Sequence, residues 1–229
     1  MKKVRIGIIG CGKIATSHLK GVAEKPECVL YAVCDNATDN RLQERKEAYG
    51  AKIAVKDYKE LLGDPNIDFV IITVPDNSHM EIACAFMRDG KDVLLEKPMA
   101  LTVPECEEML RVEKETGKRL MVGQVVRYNS KFAYAKKLVD EGAIGELAFV
   151  ESEYAHDYSV ARGYNDWRVT PEREGMIGGG CHAVDLIRWL GGDDPNEIYA
   201  YGTHKLLPEV PYHDANIAIM KFPNEIMSK

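Results

Sequence analysis

A GxGxxA run, Gly10-Cys11-Gly12-Lys13-Ile14-Ala15, stands between an apolar stretch at residues 4–9 and a segment, 13–24, whose apolar Ile14, Ala15, Leu19, Val22 and Ala23 recur at three- and four-residue steps. Small residues at that spacing do mechanical work for an anion. Gly10 permits a tight turn after a strand, Gly12 lets backbone approach a pyrophosphate, and Ala15 lets helix and strand pack closely. The helix N-terminus meanwhile presents N–H donors to the phosphates. Asp35 closes the next apolar run, 29–34, at a distance of 23 residues from Gly12. A carboxylate there accepts hydrogen bonds from an adenosine ribose and repels a 2′-phosphate. Strand, glycines, helix and acid in this order predict a dinucleotide site that takes NAD in preference to NADP.

Two further stretches follow apolar strands and so fall at the carboxyl edge of the same sheet, where ligands collect in doubly wound folds. Thr73-Val74-Pro75-Asp76-Asn77-Ser78-His79 places His79 within reach of a cofactor, although Asn77 and Ser78 also read as caps of the helix that follows. Leu94-Leu95-Glu96-Lys97-Pro98 delivers a cation to that edge. Oxidation of a secondary alcohol needs a donor to stabilise charge on oxygen and a base for the hydroxyl proton, and Lys97 fits the first role. The same tripeptide recurs as Glu24-Lys25-Pro26 at a helix end, where it reads as a surface turn. Position after a buried strand, rather than composition, separates the two copies.

These residues need a scaffold, and the chain supplies one. Strand-sized runs at 4–9, 29–34, 52–55, 69–74, 93–95 and 119–122 alternate with helical patterns at 13–24, 40–49, 78–88 and 104–116 and a helical turn at 58–62. Such alternation implies an α/β fold with a doubly wound parallel sheet covered on both faces. After Gly123 the rhythm changes: a helix at 131–141, an alternating strand at 147–154, a long loop at 156–180, a helix at 183–190 and strands at 198–202 and 215–222. The expected division is therefore a dinucleotide-binding domain, 1–123, and a second α/β domain, 124–229.

With 229 residues, 30 Lys+Arg against 36 Asp+Glu and a net charge of −6 spread along the chain, no nucleic-acid partner is expected. The apolar runs are too short to span a bilayer and Met1-Lys2-Lys3 leads straight into a strand, so no membrane is expected and the location reads as cytoplasmic. Six cysteines and six histidines show no metal-ligand spacing, and no metal is expected. The 156–180 loop carries Tyr158, Arg162, Tyr164, Trp167 and Arg168, a set suited either to stacking on a sugar face and gripping hydroxyls or an anion, or to packing on itself.

Taken together, the glycine run, Thr73 to His79, Glu96-Lys97-Pro98, Gln124-Val125-Val126-Arg127-Tyr128, Trp167-Arg168 and Gly178-Gly179-Gly180-Cys181-His182-Ala183-Val184-Asp185 resemble the glucose-fructose oxidoreductase, inositol dehydrogenase and rhizopine catabolism (Gfo/Idh/MocA) family over essentially the whole chain. The resemblance implies a Rossmann domain joined to an α/β substrate and oligomerisation domain with a mostly antiparallel open sheet. It implies transfer of a hydride between a sugar, inositol or related polyol and NAD(P). It makes Lys97 the active-site lysine and His182 the proton acceptor. Asp185, one helical turn on, would contact substrate hydroxyls or orient the histidine. It also implies cofactor contacts at Gly10, Cys11, Gly12, Lys13, Ile14, Ala15, Asp35, Thr73, Pro75, His79, Glu96 and Pro98, substrate contacts at Arg127, Tyr128, Trp167, Arg168 and Asp185, and a homo-oligomer built through the C-terminal sheet.

Two departures from the family pattern bear on function. The acid that many members carry four residues before the histidine is Gly178 here, which leaves Asp157 or Asp166 as substitutes. Members also continue past the strand ending near Phe222, so the chain reads as C-terminally truncated. These departures keep open an NAD-assisted glycosidase with no net redox change and an NAD-binding regulatory protein without turnover.

Overall fold

The computed structural model describes residues 3–157, 166–208 and 210–229, and the chain divides into two compact units, residues 1–123 and 124–229. Tyr158, Arg162 and Tyr164 lie outside the described residues, as does the side chain of Asp166.

In the first unit, β1 (Val4–Ile9), β2 (Cys28–Cys34), β3 (Ile53–Val55), β4 (Phe69–Ile72), β5 (Asp92–Leu95) and β6 (Leu120–Val122) form one parallel sheet in the order β3-β2-β1-β4-β5-β6. The chain winds one way from β1 to β3 and the other way from β4 to β6, so the crevice at the carboxyl ends opens between β1 and β4. Side-chain alternation explains why these strands read as continuous apolar runs. Ile6, Ile8, Val33 and Ile71 pack with Leu19 and Val22 of α1 (Ala15–Ala23), whereas Ile9, Cys34 and Ile72 pack with Phe86 and Met87 of α3 (His79–Arg88) and Met109 and Val112 of α4 (Val103–Thr116). One further helix, α2 (Arg41–Tyr49), follows β2.

Helix ends follow local chemistry. The Thr102 hydroxyl accepts from the Glu105 N–H at 3.4 Å while the Glu105 carboxylate accepts from the Thr102 N–H at 3.0 Å, a reciprocal cap at the start of α4. Gly117, at φ +66°, ends the same helix. The expected strand 69–74 stops at Ile72, and just beyond it the Thr73 hydroxyl donates to the Gly10 carbonyl at 2.8 Å.

In the second unit, β7 (Phe149–Val150), β8 (Glu197–Thr203), β9 (Ala215–Lys221) and β10 (Met227–Ser228) form a sheet in the order β7-β10-β9-β8. β7 and β10 are parallel and the other pairs antiparallel. Val150, Met220, Phe222 and Ile226 pack on Ile187 of α6 (Cys181–Gly191), while α5 (Ser130–Asp140) buries none of its residues. The opposite sheet face leaves Phe149, Tyr199, Tyr201, Ile217, Ile219 and Met227 exposed.

Two expectations change here. The strand expected at 147–154 is paired over Phe149–Val150, against Met227–Ser228 of β10. The helix expected from 183 begins earlier: Met176–Gly180 forms a π-helical turn running into α6. Three consecutive glycines argue against helix by propensity, but neighbouring side chains occupy the space that side chains here would take. A Cβ would come within 2.3 Å of Arg173 at Gly178, 2.9 Å of Tyr154 at Gly179 and 2.6 Å of Met176 at Gly180.

Candidate active site

Gly10 has φ +95°, and a Cβ there would lie 2.6 Å from the Thr73 carbonyl oxygen, so only glycine makes this turn. Gly12 differs: nothing lies within 4 Å of where its Cβ would be. The start of α1 receives no side-chain cap and carries no acid in its first turn, and Ile14 is 48% exposed despite its apolar character. An uncapped helix N-terminus, open space over a glycine and an exposed apolar side chain fit a dinucleotide's pyrophosphate. The Asp35 carboxylate, at the end of β2, accepts from the Cys11 N–H at 2.5 Å and the Ala37 N–H at 2.7 Å, which anchors the acid to the glycine turn. Cys11 and Cys34 are buried, and burial, reinforced by neighbouring negative charge, pushes both thiols up to about 12. Neither is a thiolate at neutral pH.

At the end of β5, Glu96 is 7% exposed and Lys97 half-buried. Glu96 Oε1 lies 2.8 Å from His18 Nε2, and Oε2 accepts from the Lys97 backbone N–H at 3.2 Å. Burial pushes the Glu96 carboxyl up, yet the His18 hydrogen bond and charge, with the Lys97 N–H and ammonium, outweigh it and hold the group below its ordinary value. Pro98 is buried and the peptide before it is cis. His79 is fully buried, with Nδ1 2.9 Å from the Pro98 carbonyl oxygen and Nε2 3.1 Å from that of Val74. The other copy of the tripeptide, Glu24-Lys25-Pro26, is an exposed turn.

His18 is the residue that sequence reasoning missed. It lies one turn beyond Ala15 on α1, beside the helix face that Ala15, Leu19 and Val22 bury. That spacing was the available signal; its partner lies 78 residues away in sequence.

In the second unit, α6 carries His182 and Asp185 on its buried side, each 8% exposed. Both Asp185 oxygens accept from Arg127, at 2.8 Å from Nε and 2.6 Å from Nη2, and the Arg127 guanidinium lies 5.7 Å from the Trp189 ring. The hydrogen bond to Asp185, opposed by desolvation and aided by its charge, raises Arg127 further above neutrality. The Tyr154 ring lies 5.3 Å from that of His182 and 4.4 Å from that of His156. Trp167 carries the Arg168 guanidinium at 4.1 Å and that of Arg173 at 5.0 Å. Tyr128 is 72% exposed, and Arg173 is buried against Gly178. The volume beside Gly178, where an acid was expected from the resemblance, is thus filled by a guanidinium. Among the described residues, no three metal-ligating side chains converge, and no helix is long and apolar enough to cross a membrane.

The model of an oxidoreductase family with an NAD-binding Rossmann fold, Gfo/Idh/MocA, matches residues 4–124, and the model of the Gfo/Idh/MocA C-terminal domain matches residues 132–229. The chain belongs to the Gfo/Idh/MocA family. Myo-inositol 2-dehydrogenase of Thermotoga maritima is 30% identical over 206 residues, which are 87% of this chain and 58% of that protein. Inositol 2-dehydrogenase of Salmonella typhimurium is 28% identical over 95% of this chain and 63% of its own length. The crystal structure of myo-inositol 2-dehydrogenase from Lactobacillus plantarum superposes with a TM-score of 0.90 at 27% identity, covering 99% of this chain and 68% of that one. The chain therefore spans about three fifths of the length of these curated relatives. As a Gfo/Idh/MocA chain, it carries the family's Rossmann unit in 4–124 with Asp35 tied to the glycine turn.

Proposed function

We propose that this chain belongs to an NAD-dependent dehydrogenase that oxidises a ring hydroxyl of an inositol, or of a related polyol or sugar, to a ketone. The observation that carries this reading is the pairing, on the carboxyl edge of one parallel sheet, of an NAD-type ribose acid, Asp35, with a lysine, Lys97, whose backbone N–H is held by Glu96. The relatives named inositol dehydrogenases support the substrate class.

Residues of this chain divide the work by their chemistry. Asp35 accepts the ribose hydroxyls and disfavours a 2′-phosphate. Gly10, Cys11, Gly12, Lys13, Ile14 and Ala15 form the pyrophosphate turn, with Thr73, Pro75, His79, Glu96 and Pro98 shaping the edge beside it. NAD, when bound, accepts the hydride from the carbinol carbon. The Lys97 ammonium stabilises charge on the substrate oxygen, and His182 takes the hydroxyl proton. Arg127 holds the Asp185 carboxylate, and Trp167, Arg168 and Tyr128 supply stacking and donor groups for a polyol. The protein works in the cytoplasm as a homo-oligomer, with the apolar face around Tyr199 and Ile217 as the contact.

Formation of NADH on mixing the protein with NAD and myo-inositol or a polyol panel tests the reading. Binding of NAD without NADH formation from any of these would overturn it in favour of a regulatory binder. His182→Ala should lower kcat by roughly 10²–10⁴ with NAD affinity nearly intact; full turnover in that variant would remove the imidazole from proton transfer. The glycine at 178, in place of the acid that many members carry, keeps a second reading open, glycoside cleavage with NAD retained. Its mark is glycoside consumption without net NADH.

A further inference from the structure

We propose that His18 and His79 are positioning residues for Lys97, each imidazole anchoring one side of the Glu96-Lys97-Pro98 turn. The inference rests on the reading of Lys97 as the lysine that acts on the substrate oxygen.

A lysine ammonium sits on a flexible four-carbon stem, so its placement is only as good as the backbone beneath it. Here that backbone is held on both flanks. On one side, His18 of α1 meets Glu96 Oε1 at 2.8 Å, and the other oxygen of the same carboxylate accepts from the Lys97 N–H at 3.2 Å. The helix that opens the glycine turn is thereby joined through one carboxylate to the peptide of the lysine. On the other side, His79, the first residue of α3, places Nδ1 2.9 Å from the Pro98 carbonyl oxygen and Nε2 3.1 Å from the Val74 carbonyl oxygen. Both atoms are acceptors, so a neutral ring donates to one of them at a time. His79 is fully buried, and the His18 side chain is 16% exposed. Neither ring stands open to solvent as a residue that merely decorates the surface would. Because a displacement of about an ångström at a reacting group costs on the order of a hundredfold in rate, anchoring of this kind acts on turnover more than on cofactor affinity.

Two measurements read the effect separately. In the first, kcat, KM for NAD and KM for the polyol are compared among wild type, His18→Leu, His18→Asn and His18→Gln. The Leu and Asn side chains do not reach the carboxylate; the Gln amide does. The Leu and Asn variants should lose about tenfold or more in kcat while KM for NAD changes by less than about threefold, and His18→Gln should recover most of the loss. In the second, lysines are reductively methylated with a ¹³C label and the Lys97 resonance, assigned by its absence in Lys97→Arg, is followed without any substrate. It should shift or broaden in His18→Asn and His79→Leu and return in His18→Gln.

An unmoved resonance with unchanged kcat in His18→Asn would overturn the proposal. So would equal losses of turnover, NAD binding and melting temperature in the Asn and Gln variants, which mark support of the fold alone. Should Lys97→Arg retain full turnover, the reading of Lys97 fails by itself, and the resonance arm still decides whether the imidazoles position that side chain. Should His18→Leu not fold, the Asn and Gln pair carries both measurements.

Discussion

Asp35 accepts two backbone N–H groups, from Cys11 and Ala37, so its carboxylate is oriented before any ligand arrives. Asp35→Ala should weaken NAD binding and relax discrimination against NADP; titration of both nucleotides into wild type and variant checks it, and an unaltered preference contradicts the ribose contact. Glu96 answers to pH in a defined direction. Its folded value lies below its ordinary one, because the His18 hydrogen bond and charge with the Lys97 N–H and ammonium outweigh burial. The stability it contributes is therefore present above the unfolded glutamate value and is lost as the pH falls through the folded one. Wild type should lose more stability than Glu96→Gln as the pH falls below about 4.3, the ordinary glutamate value, as denaturant midpoints at each pH would show. Both residues were legible in the sequence as members of motifs. That the Asp35 carboxylate binds the glycine turn, and that the Glu96 carboxylate is held by His18, was not, because each bond joins residues far apart in the chain.

At the scale of elements, chemistry within four residues decides boundaries. Thr102 and Glu105 satisfy each other's backbone N–H groups at the start of α4, and Gly117 closes it. Thr102→Ala should cost about 1 kcal/mol, measurable as a lowered denaturant midpoint with an unchanged slope. The strands of the first unit were readable because burial on both faces writes an uninterrupted apolar run. The second unit was less so. Residues 147–154 alternate over a longer stretch than Phe149–Val150, which pair with Met227 and Ser228 of β10, because alternation marks a half-covered face and not the pairing itself. Gly178-Gly179-Gly180 carries no local sign of helix; only Arg173, Tyr154 and Met176, which fill the space of the missing side chains, make the π-helical turn intelligible.

At the scale of the molecule, the second sheet buries one face on α6 and leaves the other bare. Tyr199 pairs with Ile219 and Tyr201 with Ile217 across β8 and β9, and all four are more than half exposed. An apolar face of this kind favours association. The proposed contact through this face predicts that Ile217→Lys combined with Tyr199→Lys moves the protein toward the monomer in sedimentation velocity; identical profiles for wild type and variant would contradict that contact.

Residue order alone determined that a doubly wound sheet precedes a second α/β unit, where the glycine turn lies, and that Asp35 and Lys97 reach one sheet edge. Periodicity, glycines and strand ends are local properties, and the right-handed crossover leaves the chain few ways to arrange them. Tertiary structure alone decided that Asp185 is held by Arg127, that a guanidinium fills the space beside Gly178, and that His18 and His79 grip the turn around Lys97. The reason is physical: a buried charge or imidazole takes whichever partner the packing brings within 3 Å or so, and no spacing along the chain encodes that meeting.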